Sequence, residues 1–392
     1  MNQPPGFVEA PNARGSSRRH AVSIAVDYAR DRQRLLTSRR SVGDAGICCR
    51  IHAHRLCGEL LAAGCHSSFR CAGAVMTAVS PFTTWQAALL HAEEAWMEAW
   101  QVKVLPYASS NALAVALQLL LVVIALTWLA SVVTRNYSFT DRLWSITPPM
   151  FAWHFAFHAY VTDGGVWDQR LLLMAVLTTL WGCRLTFNFW RKGGYKLSEE
   201  DYRWAVVRQY MHWTLFEVLN LVFIAMYQHL LLMLLAVPSY AVYFHRNEEL
   251  KAVDGVATAL FLLFLVLETT ADQQQWNFYA KKYELIAQKK PLTGDFKAGF
   301  NSSGLFRCSR HPNFFGEMSL WWAFYLFSLA VSEPLFNPSS LGTILLSLLF
   351  QGSTPFTEYI TASKYPMYKE YQRRVSMLIP WFPLVKSAAR ED

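Results

Sequence analysis

The chain has 392 residues, of which 53% are hydrophobic, 15% aromatic and only 16% charged, with 26 Phe and 15 Trp. That is too aromatic and too sparsely charged for an ordinary soluble domain and points to a membrane. The formal charge of +8 falls to +2 once the eleven arginines and five acids of residues 1–75 are set aside, so the basic balance gives little support for nucleic-acid binding.

Residues 1–75 hold no lysine and five of the seven cysteines. They contain no apolar run long enough for a secretory signal, and their arginine-rich, acid-poor composition is open to a transit-peptide reading. The expectation adopted is a disordered or non-native extension, or upstream sequence read through to a start at Met76. Cys48, Cys49, Cys57, Cys65 and Cys71 include no CxxC pair, so a zinc site is not expected. Residues 76–110 read as an amphipathic pre-membrane segment, and 111–392 as the transmembrane domain.

Seven apolar stretches of roughly 17–25 residues, the length a bilayer requires, follow at 111–133, 145–161, 171–190, 214–237, 256–275, 314–331 and 341–356. The second, sixth and seventh are short or polar enough to leave a re-entrant helix open for one of them. The expected fold is an all-α, polytopic membrane bundle of about seven transmembrane helices, without internal repeats. With seven spans and a start at Met76, one side of the membrane carries twenty Lys and Arg and the other four, namely Lys103, Arg170, Arg246 and Lys251. The richer side, which includes the C-terminus, is expected to be cytoplasmic.

Three stretches hold candidate chemistry. In GLFRCSRHPNFFGEMSLWW (304–322), a basic turn runs into an apolar helix with Pro312 in its first turn, a position that tolerates proline. Asn313 and Glu317, four residues apart, share a helical face, and a carboxylate at the head of a membrane helix is costly unless paired or functional. Glu268 and Asp272 repeat that spacing in ETTADQQQWNFYAKKYEL and need partners of their own. Near the end, Tyr368, Tyr371, Arg373 and Arg374 suit either an interfacial anchor or a phosphate site. His154 and His158 lack a second ligand set and read as hydrogen-bonded helix residues, as do Gln228 and His229; no metal site is expected. Cys183 and Cys308 are expected to be unbridged.

SRHPNFFGE, the ETTADQQQ helix and the closing YxxYxxRxSxxIPWFP resemble the steroid 5α-reductase C-terminal superfamily. The similarity is closest to an uncharacterised branch of polytopic membrane proteins, which DRLWSITP (141–148) and LWGCRLTFNFWRKGGY…EDYRW (180–204) also resemble. It covers roughly residues 138–383. The resemblance implies a membrane reductase that passes hydride from NADPH to a C=C bond conjugated to a carbonyl in a lipid or steroid-like substrate. Asn313 and Glu317 match cofactor-pocket residues of GLFxxxxxxNFxGE, and Asp272 matches an acidic cofactor contact. Arg184, Arg310, Lys364 and Tyr371 are the matches for the phosphate and ribose contacts, with His311 counted among the cofactor-binding candidates. The tyrosine that polarises the carbonyl in characterised steroid reductases has no counterpart around residues 182–184; Asp141, Tyr195 and Tyr202 are the candidate catalytic substitutes.

The alternative is an S-adenosylmethionine-dependent methyltransferase of the isoprenylcysteine or phospholipid type. That family shares RHPxYxG and a tail resembling EYxxYxxRVxxxxP, although its adjacent glutamates reduce here to Glu358. A non-catalytic lipid-binding or scaffold protein is a third reading. The expected partners are membrane lipids and a hydrophobic small molecule, not nucleic acid. For a eukaryotic host the resemblance implies the endoplasmic reticulum.

Overall fold

The computed structural model describes residues 80–101, 106–331 and 333–383, and of Tyr202 only the backbone. The chain divides into two units, Met1–Met76 and Thr77–Asp392, and every described residue lies in the second. The extension of residues 1–75 with its five cysteines, and Lys103, lie outside the described residues.

Among the described residues every regular element is helical. In chain order they are α1 (Trp85–Ala99), α2 (Ala112–Thr134), α3 (Phe139–Leu143), α4 (Thr147–Thr162), α5 (Gln169–Arg191) and α6 (Tyr202–Gln209), followed by α7 (Trp213–Tyr243), α8 (Ala252–Ala287), α9 (Gly294–Ala298), α10 (Pro312–Ala330), α11 (Leu341–Lys364) and α12 (Tyr368–Arg374). The middle of α7, Asn220–Tyr227, is π-helical. Local chemistry starts several of these helices. The side chains of Asn111 and Asp168 accept from the amides of Leu113 and Leu171 and cap α2 and α5.

Every predicted span forms the body of a helix, but only α2, α5, α7 and α8 are long and apolar enough to cross a membrane. The other three fall short for visible reasons. The 16 residues of α4 reach about 24 Å, against a hydrocarbon core of roughly 30 Å. Asn313, Glu317 and Ser328 dilute α10, and α11 ends in the polar run TEYITASK. With 36 residues, α8 extends about 54 Å. Its last turns, where Lys281 pairs with Glu284 at 3.0 Å, therefore outrun any bilayer core.

The core sits where α4, α5, α7, α8, α10 and α11 converge on Trp181, Trp321, Phe261, Phe324 and Phe327. The two indoles meet edge to face with centroids 4.9 Å apart, the geometry that aromatic quadrupoles favour. The described part of the pre-membrane segment packs on the bundle. Its α1 buries Ala95 and Ala99, exposes Leu89 and Met97, and is tied to α7 by His91 Nε2 and Tyr240 Oη at 2.6 Å. His154 bonds the Ala112 carbonyl, His158 the Tyr243 hydroxyl and His229 the Thr127 hydroxyl, so these histidines join neighbouring helices. Cys183 and Cys308 are free.

Two ion pairs hold α5 and α8 side by side. At one end Arg170 grips Asp254 with both Nε (2.8 Å) and Nη2 (3.0 Å), with both side chains buried. At the other, Arg184 meets Glu268. Residues 170 and 184 on α5 are separated by the same interval as 254 and 268 on α8, about 21 Å of helix rise, so the two helices run parallel in register. Against them α10 approaches through Gly316, where a Cβ would lie 2.9 Å from Glu268 Cβ. Small residues permit such approach between membrane helices.

Gly316→Ala is therefore expected to force α8 and α10 apart at a cost of about 1–3 kcal/mol. Gly255→Ala, in the same α8 but facing open space, should instead stabilise by roughly 0.5–1 kcal/mol. Thermal melts of both variants in one detergent check this, and similar shifts in both would contradict the close approach.

Candidate active site

Arg184, five residues before the C-terminal turn of α5, points into the bundle and meets carboxyl groups from two other helices. Its Nη2 lies 2.5 Å from Glu268 Oε1, its Nη1 2.7 Å from Asp272 Oδ2, and Nη2 is 3.7 Å from Glu317 Oε2. Helical spacing brings them together, because Glu268 and Asp272 are one turn apart on α8, as are Asn313 and Glu317 on α10. The flanking positions of α5 complete the shell. Trp181 donates its indole N–H to Glu317 Oε2 at 2.9 Å, and Asn188 donates to Asp272 Oδ2 at 2.8 Å. Trp321 donates to the other Glu317 oxygen at 3.0 Å. Asn313 reaches Asp272 Oδ1 only at 3.5 Å, a weak contact.

This group forms one end of a cavity of about 1060 Å³. Five carboxyls line the wall, those of Asp141, Asp201, Glu268, Asp272 and Glu317, against the cations Lys192 and Arg203, with Arg184 behind. The rest is mostly apolar, with Trp144, Leu185 and Phe189 on one side and residues of α7 and α11 on the other, and Ser145, Asn188, Gln228 and Asn313 add polar groups. Glu268 Oε2, Arg184 Nε and Gln275 Oε1 are buried without hydrogen-bond partners. One guanidinium against three carboxyls in a low-dielectric setting leaves negative charge in excess, which a proton or a cationic ligand must complete.

A second polar cluster lies beside the cavity. Arg310 holds Glu358 through Nε at 2.6 Å and Nη2 at 3.0 Å, and His311 (2.9 Å), Gln372 (2.8 Å) and Tyr368 (3.3 Å) bond the same carboxylate. The backbone amides of Arg310 and His311 donate to the carbonyls of Ser376 and Met377. The basic turn, the end of α11 and the C-terminal segment are thereby sewn together. Burial raises the Glu358 pKa, but hydrogen bonds from His311, Arg310 and Gln372 and the Arg310 charge override it and hold the carboxyl at about 2.

Of the predicted cofactor residues, Arg184, Asp272, Asn313 and Glu317 come together at the cavity. Arg310 and His311 do not line it and are bound to Glu358. Tyr371 donates its hydroxyl to the Phe306 carbonyl, and Lys364 lies 5.5 Å from the Tyr365 ring centroid, both off the cavity wall. Among the proposed catalytic substitutes, Asp141 lines the cavity and accepts from the Trp204 indole at 3.3 Å. Tyr195 instead donates to the Arg142 carbonyl, and the Tyr202 side chain lies outside the described residues. Gln228 lines the cavity too. Trp181, Asn188, Lys192 and Trp321 were not anticipated from sequence. For Trp181 and Asn188 the signal was a stripe in WGCRLTFNFWRK at positions 181, 184, 188 and 191, one face of an otherwise apolar helix; Lys192 and Trp321 had none.

Because the folded Glu358 carboxyl sits below its ordinary value near 4.3, the stabilisation it provides is present above that value and lost as pH falls from about 4 towards 2. Glu358→Gln should melt lower than the parent at pH 7, and the gap should narrow across that window. Arg310→Ala, which removes the guanidinium held in two hydrogen bonds by the buried Glu358 carboxylate, is expected to cost about 3 kcal/mol, the low end for a broken buried pair because His311 and Gln372 remain. Melting temperatures at pH 7, 4 and 3 check both.

Comparison with known proteins assigns the chain to a family without settling its chemistry. An uncharacterised protein of Schizosaccharomyces pombe, C594.04c, is 41% identical over 281 residues, covering 70% of this chain and 81% of the relative. Methanethiol S-methyltransferase of Mycobacterium tuberculosis is 31% identical over 129 residues, covering 31% of this chain and 49% of that protein. No solved structure matches significantly. A family model described as "Protein of unknown function (DUF1295)" matches residues 127–375, more than half of the sequence, and the chain accordingly belongs to the DUF1295 family.

Proposed function

We propose that this protein is a membrane-embedded methyltransferase that uses S-adenosylmethionine, with the cavity at Arg184, Glu268 and Asp272 as its site. The observation that carries this reading is the charge of the cavity. Its wall presents five carboxyls and two cations, a balance suited to a cofactor with a sulfonium and an ammonium group and ill suited to the phosphates of a dinucleotide. Of the two arginines matched to the phosphate and ribose contacts, Arg310 is already bound by Glu358 and Arg184 by Glu268 and Asp272. The similarity to a protein named as a methyltransferase supports the same reading.

S-adenosylmethionine would supply an electrophilic methyl group: the S–CH3 bond breaks as the X–CH3 bond forms, S-adenosylhomocysteine leaves and the X–H proton passes to a base. Glu268 and Asp272 would hold the positive charge of the cofactor. Arg184 keeps the two carboxyls from repelling one another. Asp141 is the candidate base for the acceptor proton. Burial pushes its carboxyl above the ordinary carboxylate range against the pull of Arg203, closer to the operating pH that general-base catalysis favours. Trp144, Phe189 and Phe223 line the remaining wall and exclude water.

The NADPH-dependent reductase is a second reading, favoured by one observation. Arg184, Asp272, Asn313 and Glu317, the residues named by the resemblance to steroid 5α-reductases, meet at one cavity although they come from three helices. On either reading we place the C-terminus on the cytoplasmic side, with α4, α10 and α11 completing seven spans. The basis is the split of twenty basic residues against four.

In detergent, S-adenosylmethionine at a hundredfold excess over its Kd is expected to stabilise the fold by about 2.7 kcal/mol. Glu268→Gln and Asp272→Asn should remain folded and lose most of that shift, whereas Arg310→Ala should melt lower yet keep it. A shift with NADPH and none with S-adenosylmethionine would replace this reading with the reductase, and no shift with either would leave a non-catalytic protein. For topology, a C-terminal reporter should be cytoplasmic and a glycosylation tag inserted at 333–340 should be modified. The reverse result would place the cavity's polar end away from cytosolic cofactor.

A further inference from the structure

The geometry points to a sideways entrance. We propose that the second substrate is a long-chain amphiphile, an alkyl chain ending in a polar X–H head, that enters from the bilayer between the π-helical part of α7 and residues 345–356 of α11. The proposal rests on the cavity being the reactive site, but not on which cofactor serves it.

The two helices are in tight contact at one end and apart at the other. At Gly342 an added Cβ would lie 2.4 Å from the carbonyl carbon of Leu234, so the backbones touch. Ten residues further along α11, about 15 Å of rise, an added Cβ at Gly352 would meet nothing within 4 Å. Gly352 lines the cavity together with Phe223 and Tyr227 of α7, so the helices part along this stretch and the apolar half of the cavity lies between the two arms.

On α7, Leu219, Phe223 and Tyr227 recur every four residues along this wall, and on α11 Leu345, Leu349 and Phe356 face the same space. The Phe223 and Tyr227 rings are stacked, 5.4 Å apart and 9° from parallel, and offer a flat surface to an alkyl chain. A π-helical stretch is a recurrent feature of functional sites. Immediately outside the cleft, Val222, Met226 and Leu348 are exposed, so the opening is continuous with the apolar surface that faces lipid.

The occupant follows from the two ends. The outer end is apolar and meets the bilayer; the inner end reaches Glu268, Asp272 and Asp141. A molecule with one chain and one polar head satisfies both. The cavity volume of about 1060 Å³ lies at the top of the usual range for ligand sites, roughly 300–1,000 Å³, and exceeds what a small volatile thiol needs.

The test uses the whole chain in lipid nanodiscs and a sixteen-carbon alcohol with a mid-chain diazirine, dissolved in the bilayer and photolysed. Adducts are expected on peptides spanning 219–228 and 345–357. Gly352→Trp, whose Cβ would meet nothing within 4 Å, puts an indole at the open arm and should reduce those adducts at least tenfold. Labelling of the outward face of α2 and the thermal shift with S-adenosylmethionine should persist. Phe223→Ala, which removes half of the stacked wall, provides a second variant should Gly352→Trp fail to fold, and is expected to lower labelling at 345–357 severalfold. Labelling confined to outward-facing residues, or cleft labelling unchanged in both variants, overturns the entrance. Cleft labelling without any cofactor shift keeps the entrance and removes the methyltransferase reading instead.

Discussion

Arg184 is the constraint around which the bundle is organised. A guanidinium inside apolar helices is tolerable only with counter-charges at hydrogen-bond distance, and three arrive, from Glu268, Asp272 and Glu317 on two other helices. The reverse holds equally, since among the described residues Arg184 is the cation within ion-pairing distance of all three carboxyls. The cluster therefore sets the rotation of α5, α8 and α10 about their axes more stringently than apolar packing alone, which tolerates sliding. The Trp181 and Trp321 indoles bond Glu317 from both sides and bind this polar centre to the aromatic core.

The rest of the architecture maintains that arrangement. Arg170 and Asp254 repeat the α5–α8 pairing at the far end of both helices, so neither can slip by a turn without exposing a buried charge. Gly316 removes the side chain that would keep α10 off α8 at Glu268. Outside the core, Glu358 gathers Arg310, His311 and Gln372 and fixes the turn that begins α10. What the basic turn provides is therefore structural support for Asn313 and Glu317, one turn further on.

The site that results is asymmetric in a chemically useful way. Its inner end is negative and partly unpaired, and its outer end is apolar and flanked by two diverging helices. On the function proposed above, a water-soluble, positively charged cofactor would take the inner end and a bilayer-dissolved acceptor the outer one. The low dielectric between them strengthens every charge interaction at the inner end.

Local sequence determined much of this protein. The spans were legible because a bilayer demands long apolar runs, and α2, α5, α7 and α8 carry that requirement in contiguous residues. The pairs Glu268 with Asp272 and Asn313 with Glu317 were legible because a four-residue spacing fixes a shared helical face whatever the partner. Membership of a family of membrane proteins was legible from SRHPNFFGE and the closing YxxYxxRxSxxIPWFP. The tertiary structure decided which charges meet. The resemblance matched Arg310 to a phosphate or ribose contact, and only the return of Glu358, 48 positions later in the chain, pairs it with a carboxylate. Arg184 likewise finds its carboxyls more than eighty residues away. Nor does any local pattern encode the divergence of α7 and α11, because Gly342 and Gly352 are the same residue in the same helix. One meets a backbone and the other meets space, and that difference belongs to the neighbouring helix.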